Sequence, residues 1–210
     1  DYAQAESRTT AHIAGDEDLI AAVSSDKDFH SLNASAFFGV PYDSIYDSES
    51  GKTRDKGLRD LAKRVNHGAN YLMGANVLVE TMGLDKVAEA QRLLKLPKLW
   101  MPKQVAEYLL SQFHKTYQKL SKVFYPGIAA EIVRTSMLQS RASHDAPYQA
   151  SARSLTRYCF GDPVKNKRDL NAYVAHAPQS LNAMTLNRAF MKVFYKLAFR
   201  PDFKLICQIH

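Results

Sequence analysis

RDLAKRVNHGANYLMGA, residues 59–75, is the stretch on which the reading of the whole chain turns. Arg59, Lys63, His67 and Tyr71 recur every four residues, and on a helix turning about 100° per residue such positions form one slowly winding stripe. The stripe reads cation, cation, imidazole, phenol. Two cations one turn apart can neutralise a triphosphate, arginine through forked hydrogen bonds and lysine as a mobile point charge, while the rings can stack on a base. The same spacing also suits a solvated helix face with an aromatic packing contact, so periodicity alone leaves both readings open.

Outward from this segment, hydrophobic spacing predicts helices over residues 6–14, 28–38, 58–73, 102–124, 128–139 and 170–197. Strands are expected only at residues 1–2, in a hairpin around 158–164, and at 203–209. Pro102 suits a first helical turn, whereas Pro126 and Gly127 are expected to interrupt the next helical pattern. Turn residues and charges over 38–56 suggest a link between two lobes, and 145–169 looks similarly irregular.

The 210 residues, 46% hydrophobic and 23% charged, have the composition of a globular chain. No apolar run reaches the roughly 18–20 residues of a membrane helix, and nothing at the start resembles a signal peptide. A soluble intracellular protein of the cytoplasm, neither secreted nor membrane-bound, is the expectation. Cys159 and Cys207 lie in no CxxC or histidine-rich cluster, which argues against a disulfide framework or structural zinc. Neither thiol has a neighbouring histidine or helix-start cation that would mark it as a nucleophile. The balance of 28 Lys and Arg against 21 Asp and Glu, a net charge of +7, favours approach to a polyanion.

Specific motifs add to these general features. The opening DYAQAESRTTAHIAGDEDL resembles the DYSQIELRxLAHxSGD motif of family A DNA polymerases through Asp1, Tyr2, Gln4, Glu6, Arg8, Ala11, His12, Gly15 and Asp16. DKDFHSLNASAFFGV, which follows, is similar to the family's stretch around D-I-H-T. Residues 59–75 resemble the fingers helix R-x-x-x-K-x-x-N-[FY]-G-x-x-Y-G through Arg59, Lys63, Asn66, Gly68 and Tyr71. Two departures stand out: His67 replaces the usual Phe or Tyr, and Leu72 replaces the usual Gly.

Towards the other end, NAYVAHAPQSLNAMTLNRAF lies where the family carries an N-x-P-x-Q-G pattern, with His176, Pro178, Gln179 and Asn182 as candidate contacts to template or primer. Gln179 is the first choice, because an amide both donates and accepts at base edges. Asn and Ser also favour helix starts, so capping is the competing reading there. The final KLICQIH resembles the strand leading into the family's Q-V-H-D-E turn through Gln208 and His210.

The resemblance implies an α/β (α+β), mostly helical chain: a fragment of the polymerase palm sheet with an inserted helical fingers lobe. Residues 1–40 would be palm, 41–140 fingers, and 141–210 palm again. It implies DNA-directed DNA synthesis from deoxynucleoside triphosphates on primer-template DNA, by a two-metal mechanism with Mg2+, of a phage or viral type. Asp1 and the Tyr2 carbonyl would hold metal, and Asp1 and Lys63 would serve catalysis. Gln4, Glu6, His30, Arg59, Lys63, His67 and Tyr71 would bind nucleotide, with Glu6 as the gate that excludes a 2'-hydroxyl. Arg8, Asn66, Gln179, Asn182, Gln208 and His210 would contact DNA. The segment alone, with one metal-binding carboxylate, is expected to be inactive. A single-subunit RNA polymerase and a non-catalytic nucleic-acid-binding helical module are the alternatives; a bulky acid beside the sugar speaks against the first.

Overall fold

A computed structural model describes residues 4–138, 157–159, 167–197, 199, 200 and 202. Asp1, Tyr2, Gln208, His210 and the strands expected at 1–2 and 203–209 lie outside them. Aspartates begin several helices. Asp16 caps α2 (Glu17–Ser24), its Oδ1 accepting from the Leu19 amide at 3.0 Å. Asp28 caps α3 (Phe29–Phe38) through the Ser31 amide, and Asp55 caps α5 (Lys56–Asn70) through the Leu58 amide. Each carboxylate satisfies an amide the helix itself leaves unpaired, and each sits at the positive end of the helix dipole. Before them, α1 (Ala5–Ala14) stops at Gly15, whose φ of 63° is the left-handed turn that glycine adopts without strain.

The expected link over 38–56 folds into a short helix α4 (Tyr42–Ile45) and a two-stranded hairpin, β1 (Tyr46–Asp47) with β2 (Lys52–Thr53), in which Tyr46 faces Thr53. Two further helices, α6 (Ala75–Met82) and α7 (Leu84–Leu93), follow α5 and are hinged at Gly83 with φ 83°. Their buried Leu78, Met82, Val87 and Ala90 carry a helical period, which the exposed Val77, Leu84 and Leu93 obscure in the sequence.

Two expected helices need correction. The helix expected over 102–124 ends as α8 (Pro102–Thr116) and is followed by a π-helical turn, Leu120–Phe124. Tyr117 leaves helical geometry at φ −113°, ψ 76°, with its buried hydroxyl donating to Asn33. Pro126 does not interrupt a helix; it lies in the first turn of α9 (Tyr125–Thr135), which continues directly from the π-helical turn. Ser136 then turns the chain at φ 55° into β3 (Met137–Leu138), which pairs antiparallel with β4 (Arg157–Tyr158). Tyr158 thus pairs back to Met137; residues 160–164 of the expected hairpin lie outside the described residues. The long α10 (Lys167–Leu197) contains Pro178.

One continuous core runs from Ala11 to Ala177, with Phe29, Leu61, Leu109, Phe113, Leu120 and Ile128 fully enclosed. Helix α5 lies against α3 and α8, and α1 against α10. These packings bring residues from both ends of the chain to one place. Among the described residues, no helix is long and apolar enough to cross a membrane.

Candidate active site

Helix α5 buries Leu58, Leu61, Ala62, Val65 and Ala69, which leaves Lys63, Arg64 and His67 exposed on its other face. The sequence pattern sets this orientation, since apolar residues three and four apart fall on one side of a helix. Asn70 Nδ2 donates to Ser7 Oγ at 3.0 Å and ties the end of α5 to α1. The Tyr125 hydroxyl donates to the Ala69 carbonyl from a third side.

The stripe expected along α5 is modified at both ends. At its start, the half-buried Arg59 clamps Asp28: Nε meets Oδ1 and Nη2 meets Oδ2, both at 2.9 Å. Burial works to raise the Asp28 pKa, but hydrogen bonds from Arg59 and Ser31 outweigh it and hold the carboxyl below its usual value. The hydrogen bonds to Asp28 in turn raise the pKa of Arg59. One of the two cations expected to meet a triphosphate is therefore already paired. Lys63 is exposed and makes no ion pair among the described residues.

At the stripe's end, Tyr71 is no longer helical, with φ −113° and ψ 20°. Its hydroxyl is buried and lacks a hydrogen-bond partner among the described residues. Burial, then the nearby Glu6 carboxylate, push its pKa up, while Gln179 acts the other way. His67 stands between: its Nδ1 lies 3.6 Å from Glu6 Oε2, and its ring meets Tyr71 edge-on with centroids 5.2 Å apart. Residues from α1, α5 and α10 thus converge at one place, with His67 and Glu6 59% and 40% exposed.

The departure at Leu72 has a structural reading, as does the glycine that the pattern keeps. Leu72 adopts φ 55°, so the bend that a glycine makes freely is here imposed on a leucine. Gly68 is retained where a Cβ would come 3.0 Å from Met73 Sδ. The bend closes by hydrogen bonds from Tyr71 and Met73 amides to the Gly68 carbonyl.

The remaining candidates fall into two groups. Gln4 precedes α1 in left-handed geometry, Arg8 is exposed on α1, Gln179 is exposed on α10, and Asn182 lies half-buried three residues on. Asn66, expected among the DNA contacts, is instead fully buried with both ends of its amide bonded, to Asn33 and to His30. His30 is half-buried, and its pKa is pushed down to about 4, by burial first and then by Arg59, Lys63 and His67, against the pull of Asp28. Sequence reading missed Asp28 and Asn33. Asp28 stands at the start of the helix expected over 28–38, but no local pattern signals its tie to Arg59, 31 residues away. Among the described residues, no group of three or more His, Cys, Asp or Glu could hold a metal ion, and Asp1 lies outside them.

This chain is 28% identical to thermostable DNA polymerase I of Thermus thermophilus over 178 residues, 82% of the chain and 20% of that protein. DNA polymerase I of Mycobacterium bovis is 40% identical over 85 residues, 40% of the chain and 8% of that protein. The POL domain of Pol1 from M. smegmatis, solved in complex with DNA primer-template and dNTP, superposes with a TM-score of 0.61 at 18% identity, covering 94% of this chain and 29% of that one. The chain therefore spans about a fifth of the length of the Thermus relative it matches. Residues 1–167 match the model of DNA polymerase family A, a span that takes in all of α1, α3 and α5, and the chain belongs to that family.

Proposed function

We propose that this chain supplies the nucleotide-binding part of a DNA-directed DNA polymerase, in which a primer 3'-oxygen attacks the α-phosphate of a deoxynucleoside triphosphate and pyrophosphate leaves. The observation that carries this is the convergence of Glu6, His67, Tyr71 and Gln179 near an exposed Lys63 that makes no ion pair among the described residues. An anionic ligand with a flat base meets a cation, rings and an amide there. The solved polymerase of similar fold was captured with primer-template DNA and dNTP, which supports the same substrates here.

Within this reading Lys63 meets the triphosphate, and Glu6 closes the space beside the 2' carbon. Tyr71 backs the Glu6 side chain, and Gln4 lies at the start of the same helix. Arg8, Gln179 and Asn182, with Gln208 and His210 by the motif they match, would contact primer-template DNA. Asp1 and the Tyr2 carbonyl offer the oxygen donors that magnesium takes. Magnesium bound there would add positive charge where the phosphates accumulate negative charge. Residues 1–40 and 141–210 would serve as palm and 41–140 as fingers. A polymerase works where its genome is, which puts the chain inside a cell. The phage-type reading rests on residues 177–194, whereas the relatives named above are bacterial.

Two outcomes test the site in a polymerase carrying this segment. Glu6→Ala relaxes discrimination against ribonucleotides by about 10- to 100-fold, the scale of one side-chain contact in a pocket. Overall deoxynucleotide incorporation changes less. Unchanged incorporation ratios would remove Glu6 from the gate.

His67 supplies the second. Its ring lies 3.6 Å from Glu6 and meets Tyr71 edge-on at the exposed face of α5, where an aromatic surface can stack on a base. His67→Ala therefore weakens nucleotide affinity by roughly three- to tenfold, and His67→Phe, which keeps the aromatic surface, recovers most of it. Equal affinities for wild type and His67→Ala, from pre-steady-state incorporation, would remove His67 from the nucleotide site.

A further inference from the structure

Beneath the exposed face of α5, four side chains form a file across α3, α5 and the end of α8. The Tyr117 hydroxyl donates to Asn33 Oδ1 at 2.6 Å, Asn33 Nδ2 donates to Asn66 Oδ1 at 2.9 Å, and Asn66 Nδ2 meets His30 Nδ1 at 3.0 Å. Tyr117, Asn33 and Asn66 are 2%, 1% and 0% exposed, so none can exchange its partner for water.

The buried end sets the direction of the file. Among the described residues Tyr117 has one hydrogen-bond partner, and a hydroxyl that only accepted would leave its O–H buried and unmet, at a cost of about 1–3 kcal/mol. It therefore donates, which requires an oxygen opposite. Asn33 must turn its carbonyl to Tyr117 and its NH2 to Asn66, and Asn66 must repeat the arrangement towards His30. An NH2 group can only donate, so His30 Nδ1 accepts and the single ring proton sits on Nε2. Burial raises the pKa of Tyr117 and lowers that of His30 to about 4, which keeps the first a donor and the second neutral near pH 7.

We propose that Tyr117, Asn33 and Asn66 form a polarised relay that holds His30 as its Nε2–H tautomer, a fixed neutral hydrogen-bond donor for the phosphates of the incoming nucleotide. This rests on reading the exposed α5 face as the nucleotide site. Arg59, Lys63 and His67 already place cations or a titratable ring near His30, and Asp28 is the acid close by. A neutral donor adds recognition of a phosphate oxygen without a further proton equilibrium. The three relay residues are positioning residues, since they act through His30.

The test uses the 210-residue chain labelled with 15N at histidine. Ring-nitrogen shifts in the absence of ligand should show His30 with a bare Nδ1 and a protonated Nε2. A proton on Nδ1 overturns the relay. Asn66→Asp replaces the NH2 with an acceptor and should move the ring proton to Nδ1, with at least a tenfold loss of affinity for dATP. Because a carboxylate at a fully buried position threatens the fold, Tyr117→Phe supplies a second arm: it removes the group that sets direction and should bring both tautomers to comparable populations. A ring unchanged in Tyr117→Phe also overturns the relay. Lys63→Ala, titrated with dATP in parallel, separates the two readings. If it binds unchanged while the tautomer responds as expected, the nucleotide site fails and the relay stands without its proposed acceptor.

Discussion

Lys63→Ala lowers deoxynucleotide incorporation by a polymerase carrying this segment by about 30- to 1000-fold, or roughly 2–4 kcal/mol, the loss seen when a preorganised donor is removed from a transition state. The size follows from what surrounds Lys63. Arg59, one turn earlier, is held in a two-pronged pair with Asp28, so it cannot swing across to replace the missing charge. Arg64, the next residue, donates to the Thr81 carbonyl. Lys63 stands on a helix whose other face is packed into the core, so its backbone is held in place while its exposed ammonium is free to reach a ligand. Lys63→Arg keeps the charge and should recover part of the rate. If Lys63 meets the nucleotide as proposed, affinity for primer-template DNA should change by less than about twofold, since no contact to a phosphate track is lost. Loss of DNA affinity at an unchanged rate would move Lys63 to such a track.

What the sequence showed of this site, and what it hid, divides along a physical line. The four-residue spacing of Arg59, Lys63 and His67 was legible because a helix repeats locally, and α5 presents Lys63 and His67 outward as the spacing requires. Tyr71 shared the spacing but not the helix, since the chain bends at Leu72 with φ 55°. Its substitution for glycine was readable; that the bend would persist on a leucine was a matter of tertiary packing. Asn66 matched a motif position and looked like a contact residue, yet three turns of buried neighbours put it inside. Its partners Asn33 and His30 lie 33 and 36 residues away, and no local pattern announces pairings of that range. Helices α6 and α7 were missed because the exposed Val77, Leu84 and Leu93 blur their apolar faces, and α2 because eight residues make little more than two turns.

Removing the capping aspartate that pairs with Arg59 should cost several times what an ordinary surface substitution does. Asp28 performs two jobs with one carboxylate. It accepts from the Ser31 amide and hydroxyl at 2.9 and 2.7 Å to start α3, and it receives both prongs of Arg59 from α5. Its side chain is 10% exposed and that of Arg59 25%, so the pair is shielded but the arginine keeps a route to water. Loss of the cap costs about 1 kcal/mol, and loss of hydrogen bonds to a charged partner about 1.5–3 kcal/mol. Asp28→Ala should therefore destabilise the chain by roughly 3 kcal/mol at pH 7. Asp28→Asn should recover about 1 kcal/mol of that, because an amide oxygen still caps a helix while the ion pair is gone. The folded carboxyl titrates below its usual value despite burial, because Arg59 and Ser31 hold the charged form. Its stabilisation is therefore complete above the unfolded value of about 3.9 and is lost as pH falls through the lower folded value. Urea unfolding of the three proteins between pH 7 and pH 2 should show the difference between wild type and Asp28→Asn constant down to about pH 5 and closing below about pH 4. A gap that stays open at the acid end, or one under about 0.5 kcal/mol at pH 7, the ordinary size of a surface substitution, would mean that the Arg59 pair contributes nothing to holding α5 against α3.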